Sequence, residues 1–396
     1  MNKYLFSAIT VFVLTAYNYP QSNVNPDISL IGTFDMYTNF IKDSPEYHKL
    51  NFATPSMEML VEGYLNPFAR ASAVISYEDD KFFIEELYAL VERGLPLDLQ
   101  VKAGKYLVGF GKLNTVHPHA WPFLERPLFH QIYFGAGGFN DIGVNLSIIL
   151  PTGDTYTNLD IGIYKGDAIG KSEASNPDDP ESIKALRGIS PVFAGRLGSF
   201  FNLGDFSNLE AGLSASYGLH SRTLFNVTGN QQAPFEIRSL YYTYLGADVK
   251  YKYKPDSYTA LTIQGEGLLS HRDVSRPGKM GVNSRMDTEE TINTFGAFVF
   301  ADYLFNKQFS VGAKYDFTYG IIGDFPSEYT GPNDDKNKTH AVSEWFAYYP
   351  VEETIALRLE AQHLFFTFSD QHTRSSETKL TLQLLFSLGP HKAHPF

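Results

Sequence analysis

The amino-acid sequence predicts an all-β fold, a transmembrane antiparallel β-barrel of about 16 strands with short periplasmic turns and long extracellular loops. Three observations predict it. Apolar and polar residues alternate along many segments, short turn motifs alternate with long polar connections, and tyrosines stand at both ends of the apolar face of a strand. After the N-terminus, no run approaches the roughly 20 apolar residues of a membrane helix, which excludes a helical membrane protein.

Composition narrows the class further. Aromatic residues make up 15% of the 396 residues and charged residues only 19%, and the chain has no cysteine. Disulfides, thiolate metal sites, Fe–S clusters and cysteine nucleophiles are therefore excluded together. The net charge of −12 suits a phosphate backbone poorly, so nucleic acid is not an expected partner.

The N-terminus resembles an export signal. A short basic segment, Met1 to Lys3, precedes the apolar stretch Tyr4–Ala16, which is too short to cross a bilayer as a helix. We therefore expect a signal peptide over residues 1–16 and a single barrel domain over 17–396. A buried N-terminal strand or helix is the alternative.

Strands are predicted from the alternation. The segment Leu245–Tyr253 places apolar side chains at odd positions and polar or small ones at even positions, which gives a strand one dry and one wet face. The segment Phe82–Arg93 fits a helical face as well as a strand, and the turn residues that follow it favour a strand. The sixteen predicted strands are 27–40, 56–65, 68–78, 82–93, 97–107, 139–150, 156–165, 190–200, 207–220, 237–252, 257–270, 292–304, 308–321, 339–349, 353–368 and 376–388.

The connections alternate in length. Short ones carry turn residues, as in Asn66-Pro67 and Asn306-Lys307, and the ones between them are mostly long and polar. Only the connection near Asp79-Asp80 breaks the alternation, being short where a long loop is expected. Short turns on one rim and long loops on the other are typical of outer-membrane barrels.

Aromatic placement separates a membrane barrel from a soluble sandwich. Tyr241 and Tyr251 bracket the apolar face of one strand. Ten residues at about 3.3 Å each, tilted by about 45°, rise roughly 23 Å, which is close to the apolar band between two aromatic girdles. In a soluble β-sandwich, tyrosines are not expected at both ends of the apolar face of a strand.

The inward face predicts the lining of the lumen. Residues of both charge signs share the inward parity, in pairs such as Lys314 and Asp316. We expect such a wall to hold water and polar solutes, and the alternative is a salt-bridged, largely closed lumen. The predicted lumen residues are Lys102, Glu210, Asp248, Lys250, Lys252, Glu266, Lys314, Asp316, Arg358, Glu360 and Lys379.

The segment Val108–Phe139 is the least polar of the long loops, and we expect it to fold into the barrel and narrow it. Asn114, Trp121 and Arg126 are its candidate constriction residues. In an extended backbone His117 and His119 point the same way, which suits two imidazole ligands of one Zn²⁺. His130 or a lumen carboxylate is the candidate for the third ligand. The alternative is that these histidines only pack the loop.

Several motifs together resemble a family of porin-like outer-membrane barrels often labelled zinc-regulated outer-membrane receptors. The motifs are Val101–Lys105, the glycines and histidines of Gly109–Trp121, Pro127-Leu128, Asn140–Val144, and the two ends Asn25–Ser29 and Phe386–His394. The resemblance implies a barrel linked to metal, and in particular zinc, acquisition. It does not extend to a TonB-type plug, because such receptors need a plug domain and about 22 strands, and only about ten residues separate the expected leader from the first strand.

The predicted function is passive diffusion of small polar solutes or ions through a channel in the bacterial outer membrane, with the link to zinc as an open expectation. A sealed structural or adhesin-type barrel is the alternative, and an outer-membrane hydrolase is a remote one, since no catalytic motif is present. We expect no enzymatic activity and no cofactor unless it is zinc. Expected partners are membrane lipid, the barrel-insertion machinery, the solute or metal ion, and further copies in a homotrimer.

Overall fold

The computed structural model describes residues 26–40, 47–169, 191–225, 236–277, 287–320, 338–351, 354–367 and 374–389. The expected signal peptide lies outside these ranges. Within them, no helix combines the length and the apolar character needed to cross a membrane.

The described chain is almost entirely strand, with one α-helix, α1 (Leu128–Phe134), and three 3₁₀ turns at Pro96–Asp98, Leu113–Thr115 and Pro118–Ala120. The strands are β1 (Asp27–Asn39), β2 (Asn51–Phe52), β3 (Ser56–Asn66), β4 (Ala69–Glu78), β5 (Lys81–Val91), β6 (Gln100–Leu107), β7 (Asn140–Leu150), β8 (Tyr156–Tyr164), β9 (Val192–Asn202), β10 (Ser207–Phe225), β11 (Glu236–Tyr253), β12 (Ala260–Pro277), β13 (Asp287–Phe305), β14 (Phe309–Tyr319), β15 (Lys338–Val351), β16 (Ile355–Thr367) and β17 (Arg374–Leu388).

These strands form one closed antiparallel sheet. Each strand pairs with its neighbour in the chain, and β1 closes the barrel by pairing with β17, from Leu30 opposite Leu388 to Asn39 opposite Lys379. The two-residue β2 and the longer β3 both lie along the same side of β1, so together they make one wall strand. The wall therefore has 16 strands, which confirms the predicted fold class.

The predicted strands agree with the observed ones except at their ends. The ambiguous segment Phe82–Arg93 is strand β5, and Asp79 and Asp80 form a two-residue turn with φ of 47° and 60°. Strands β10, β12 and β13 continue further towards the extracellular side than predicted, β10 as far as Phe225. Backbone pairing continues there through polar residues, which no longer alternate with apolar ones.

The two faces of the sheet differ as the alternation predicts. On β11 the outward side chains of Tyr241, Leu245 and Val249 are 44%, 53% and 46% exposed. Many other outward residues are equally exposed and apolar, a surface that suits lipid. Inside the barrel lies a buried cluster rich in aromatic residues, which the predicted polar wall did not include.

Candidate functional site: a loop folded into the lumen

The segment Val108–Phe139, called the lumen loop from here on, runs inside the barrel. Its base is closed by Asn114, whose Nδ2 donates to the carbonyl oxygens of Val108 at 2.8 Å and Phe139 at 3.0 Å. The amide of Phe139 donates back to Oδ1 of Asn114 at 2.9 Å. The sequence predicted Asn114 as a constriction residue. Because its side chain is only 1% exposed, Asn114 instead holds the base of the loop together and does not line a water-filled constriction.

Aromatic side chains of the lumen loop pack against aromatic side chains of the wall. Phe123 contacts Phe300 and Trp345 at ring-centre distances of 5.2 and 5.8 Å, and Phe129 stacks on Phe298 at 5.8 Å. Burying this apolar surface inside the barrel removes it from water. One side of the lumen is therefore filled by side chains.

Carboxylates of the wall bind the backbone of the lumen loop. Oε1 of Glu266, on β12, accepts hydrogen bonds from the amides of Lys112 at 2.9 Å and Leu113 at 2.6 Å. The Lys112 side chain reaches Glu210, on β10, at 2.5 Å. These bonds fix the first half of the loop against β10 and β12.

The second half is fixed against β14, β16 and β17 in the same way. Amides of the loop donate to the carboxylates of Glu360 and Asp316. The positively charged side chains of Lys314, Arg358 and Lys379 donate to oxygen atoms of the loop. The bonds are Leu124 N to Glu360 Oε2 at 2.6 Å, Leu128 N to Asp316 Oδ1 at 3.1 Å, Lys314 Nζ to Glu125 O at 2.7 Å, Arg358 Nη1 to Trp121 O at 2.7 Å, and Lys379 Nζ to Glu125 Oε1 at 2.6 Å.

All eleven predicted lumen residues stand at inward positions of their strands, but most of them do not simply line water. Seven bind the lumen loop: Glu210, Glu266, Lys314, Asp316, Arg358, Glu360 and Lys379. Asp248 pairs with Arg196 at 2.6 Å, and Lys102 lies over the rings of Tyr88 and Tyr106. Lys250 and Lys252 are partly exposed.

The two other predicted constriction residues lie together. The Arg126 guanidinium is 4.8 Å from the centre of the Trp121 ring, and burial lowers the pKa of Arg126 to about 10. The Trp121 indole donates to the carbonyl of Val116 at 2.9 Å. Both residues stiffen the lumen loop, and Trp121 also lines one of two cavities beside it.

Two cavities lie on opposite sides of the lumen loop. The extracellular one, about 280 Å³, is lined by β1, β3, β4 and β5, and by Pro118, His119 and Leu124 of the loop. The periplasmic one, about 140 Å³, is lined by the periplasmic ends of β12 to β16 and by His119, Trp121 and Pro122. His119 and Arg358 line both cavities. The position of these two shared side chains is called the throat from here on.

His117 and His119 meet at the extracellular side of this throat, together with Glu58 of β3. Their Nδ1 atoms lie 3.3 and 3.2 Å from the same carboxylate oxygen, Glu58 Oε2. Burial opposes a charge on His117, but the carboxylates of Glu58, Glu85 and Glu86 outweigh it and raise the pKa of His117 well above its ordinary value.

His130 is not part of this cluster, although the sequence made it a candidate third ligand. It lies on α1, fully buried against Phe129, Phe134 and Phe298. Its Nε2 is 3.5 Å from Glu266, and burial lowers its pKa despite that carboxylate. The helical turn directs this side chain into the aromatic cluster, away from His117 and His119.

Sequence reasoning missed three features of the site. Glu58 and Arg196 are inward by the parity of β3 and β9, so the same alternation could have identified both. The third feature is the set of inward aromatic residues, such as Phe298 and Phe300, which depart from the polar-inside pattern. This departure could have predicted the surface against which the lumen loop packs.

No protein-family model matches the chain. Among curated proteins, an uncharacterized protein of Aquifex aeolicus (strain VF5) is 27% identical over 405 residues, 96% of this chain and 81% of that protein. Among solved structures, the outer membrane channel DcaP of Acinetobacter baumannii has a TM-score of 0.57 and 14% identity, over 93% of this chain and 99% of DcaP. An anion-selective porin from Comamonas acidovorans has a TM-score of 0.55 and 11% identity, over 92% and 100%.

The closed sheet, its apolar exterior and these structural similarities define an outer-membrane β-barrel of 16 strands. The predicted fold class and the predicted outer-membrane location are confirmed. The similar structures are named as a channel and a porin, and neither name mentions zinc. The resemblance to zinc-regulated receptors is therefore supported only for the porin-like barrel.

Proposed function

We propose that the protein is a diffusion channel of the porin type for small polar solutes and ions. Solutes pass from the cavity beside β1, β3, β4 and β5, past His119 and Arg358, to the cavity at the periplasmic ends of β12 to β16. The observation that carries this proposal is the pair of cavities on the two sides of the loop, which share His119 and Arg358. The similarity to solved outer-membrane channels supports the same function.

The charges of the extracellular cavity favour cations. Its lining includes the carboxylates of Asp35, Glu58, Glu78 and Glu85. Two cationic groups stand against them. One is Arg358, whose guanidinium is bound to the carbonyl of Trp121 and to the side chain of Gln383. The other is His117, whose pKa is raised by the neighbouring carboxylates. A cavity with this excess of negative charge raises the local concentration of cations.

Planar-bilayer recording tests the proposal. Purified protein should open ohmic channels, and the reversal potential in a KCl gradient should have the sign for potassium preference. Arg358→Ser should raise the conductance because it removes a side chain from the throat. Arg196→Met is the matched control, since Arg196 is an inward arginine that lines neither of the two cavities.

A sealed structural barrel is the alternative that this experiment separates. The aromatic cluster inside the barrel is the observation that favours it. If neither the wild type nor Arg358→Ser conducts, the lumen is closed and the diffusion proposal is wrong.

We also propose a homotrimer in the lipid of the outer membrane, delivered by the barrel-insertion machinery. One of the similar structures, OmpT of Vibrio cholerae with a TM-score of 0.50 and 9% identity, is named as a trimer form. Cross-linking of the unheated protein in detergent should give a ladder that ends at three copies. A ladder that stops at one copy would contradict the trimer.

A further inference from the structure

We propose that Glu58, His117 and His119 form a binding site for a divalent cation of the Zn²⁺ type, which links the lumen loop to the barrel wall. Glu58 belongs to β3, whereas the two histidines belong to the loop. Among the residues that the structure describes, this is the only group of three or more such side chains whose ligand atoms could hold one metal ion. An ion bound there would hold the loop against the wall at the throat.

Two of the three distances within the cluster fit a tetrahedral ion. The Nδ1 atoms of His117 and His119 are 3.3 and 3.2 Å from Glu58 Oε2, and one ligand atom from each residue lies within 4.8 Å of the others. A tetrahedral Zn²⁺ with ligand bonds of about 2.0–2.1 Å separates neighbouring ligand atoms by about 3.3–3.4 Å. The two edges that meet at the carboxylate already have this length.

His117 is also prepared for a ligand on its Nδ1 side. This nitrogen is buried and makes no aligned hydrogen bond within the described chain, although the carboxylate oxygens of Glu58 and Glu85 lie at 3.3 and 3.5 Å. On the other side of the ring, Glu86 Oε2 is 3.9 Å from Nε2. Metal-binding histidines usually donate their second ring N–H to a carboxylate, and Glu86 stands on that side of the ring, beyond hydrogen-bond distance.

The site is open to ions from outside. Glu58 and His119 line the extracellular cavity, and their side chains are 17% and 12% exposed. Two imidazoles and one carboxylate suit Zn²⁺ better than Mg²⁺ or Ca²⁺, which prefer oxygen ligands. Three protein ligands leave a fourth position for water, so the ion should exchange.

Binding should have a second effect, which rests on the proposed channel function. A doubly charged ion beside Arg358 would add positive charge at the throat and fix His119 there. Potassium conductance should therefore fall when Zn²⁺ is added on the extracellular side, and should recover when a chelator removes the ion.

Isothermal titration of the purified, detergent-folded barrel with ZnCl₂ tests binding without any need for conduction. We compare the wild type with His119→Ala and Glu58→Gln, and use His340→Ala as the matched control because His340 lies outside the cluster, bound to Tyr315. Heat-modifiable gel migration verifies that each variant is folded. We expect wild-type and His340→Ala binding to be equal, both cluster variants to bind at least about tenfold more weakly, and Mg²⁺ in excess not to compete.

The outcomes separate the site from the channel. No Zn²⁺ binding by the wild type, or equal binding by the cluster variants, would overturn the site even if the protein conducts. Binding that leaves the conductance of an active channel unchanged would overturn the effect on the throat. If the protein does not conduct at all, the channel proposal fails and the titration still decides the site.

Discussion

Glu266 should be the strongest single attachment of the lumen loop. It is 5% exposed, and its Oε1 accepts the amides of Lys112 at 2.9 Å and Leu113 at 2.6 Å. A hydrogen bond to a charged group contributes about 1.5–3 kcal/mol. Loss of both bonds in Glu266→Ala should therefore lower the free energy of local opening at this part of the loop by about 3–6 kcal/mol.

Hydrogen exchange measures this quantity directly. About 1.4 kcal/mol corresponds to a factor of ten, so the amides of Lys112 and Leu113 should exchange about 100- to 20,000-fold faster in Glu266→Ala. Glu266→Gln keeps an oxygen acceptor without the charge and should lie between the variant and the wild type. In planar bilayers, the loosened loop should make the conductance larger and noisier.

A second substitution reaches the same attachment from the loop. Gly111 has a φ of +67°, and a Cβ at that position would lie 2.3 Å from Glu266 Oε2. Gly111→Ala should therefore displace the carboxylate and raise exchange at the same two amides. Unchanged exchange at Lys112 and Leu113 in Glu266→Ala would refute the reasoning, because it would mean that the carboxylate does not hold the loop.

Three further perturbations follow from single contacts. Asn114→Ala removes three hydrogen bonds at the base of the loop and should lower the free energy of unfolding in urea by about 2–4 kcal/mol, whereas an unchanged midpoint would contradict this. The pKa of His130 is lowered in the folded protein, so below a pH of about 6.5 the unfolded chain binds more protons than the folded one. The free energy of unfolding should therefore fall as the pH drops below about 6.5. This fall should be smaller in His130→Gln. Glu344 faces outward in the middle of β15, between Ala313 and Ala361. Glu344→Leu should therefore stabilise the barrel in lipid vesicles by on the order of 1–2 kcal/mol. A loss of stability would contradict the view that this carboxylate faces lipid.

The wall of the barrel could be predicted because its two solvents differ. Lipid outside requires apolar side chains at every second position, so parity alone placed Leu245 and Val249 outside and Asp248 inside. The extracellular ends of β10, β12 and β13 could not be placed in this way. Beyond the lipid no apolar outer face is required, and β12 continues through Arg272 and Asp273 by pairing with β11 and β13.

The metal-site candidates show where sequence reasoning stops. The sequence paired His117 and His119 by their spacing, and in the structure both approach one oxygen of Glu58. Glu58 precedes them by about 60 residues, and only the docking of the loop on β3 brings it close. His130 belongs to a helical turn, so the direction of its side chain depends on the local backbone conformation. The apolar neighbours of His130 determine that conformation, and the spacing from His119 does not.

Inward residues that are apolar, and so depart from the polar-inside pattern, indicate where the lumen loop packs. Phe298 and Phe300 of β13 point inward, and they receive Phe129 and Phe123 of the lumen loop. Glu58 of β3 also points inward, and it lines the extracellular cavity. An apolar inward residue has no favourable place in water, so it marks where the loop docks. An inward carboxylate either binds the loop, as Glu266 does, or lines a cavity, as Glu58 does. The inner face of the wall thus has a dry side and a wet side, and in the proposed channel ions follow the wet side.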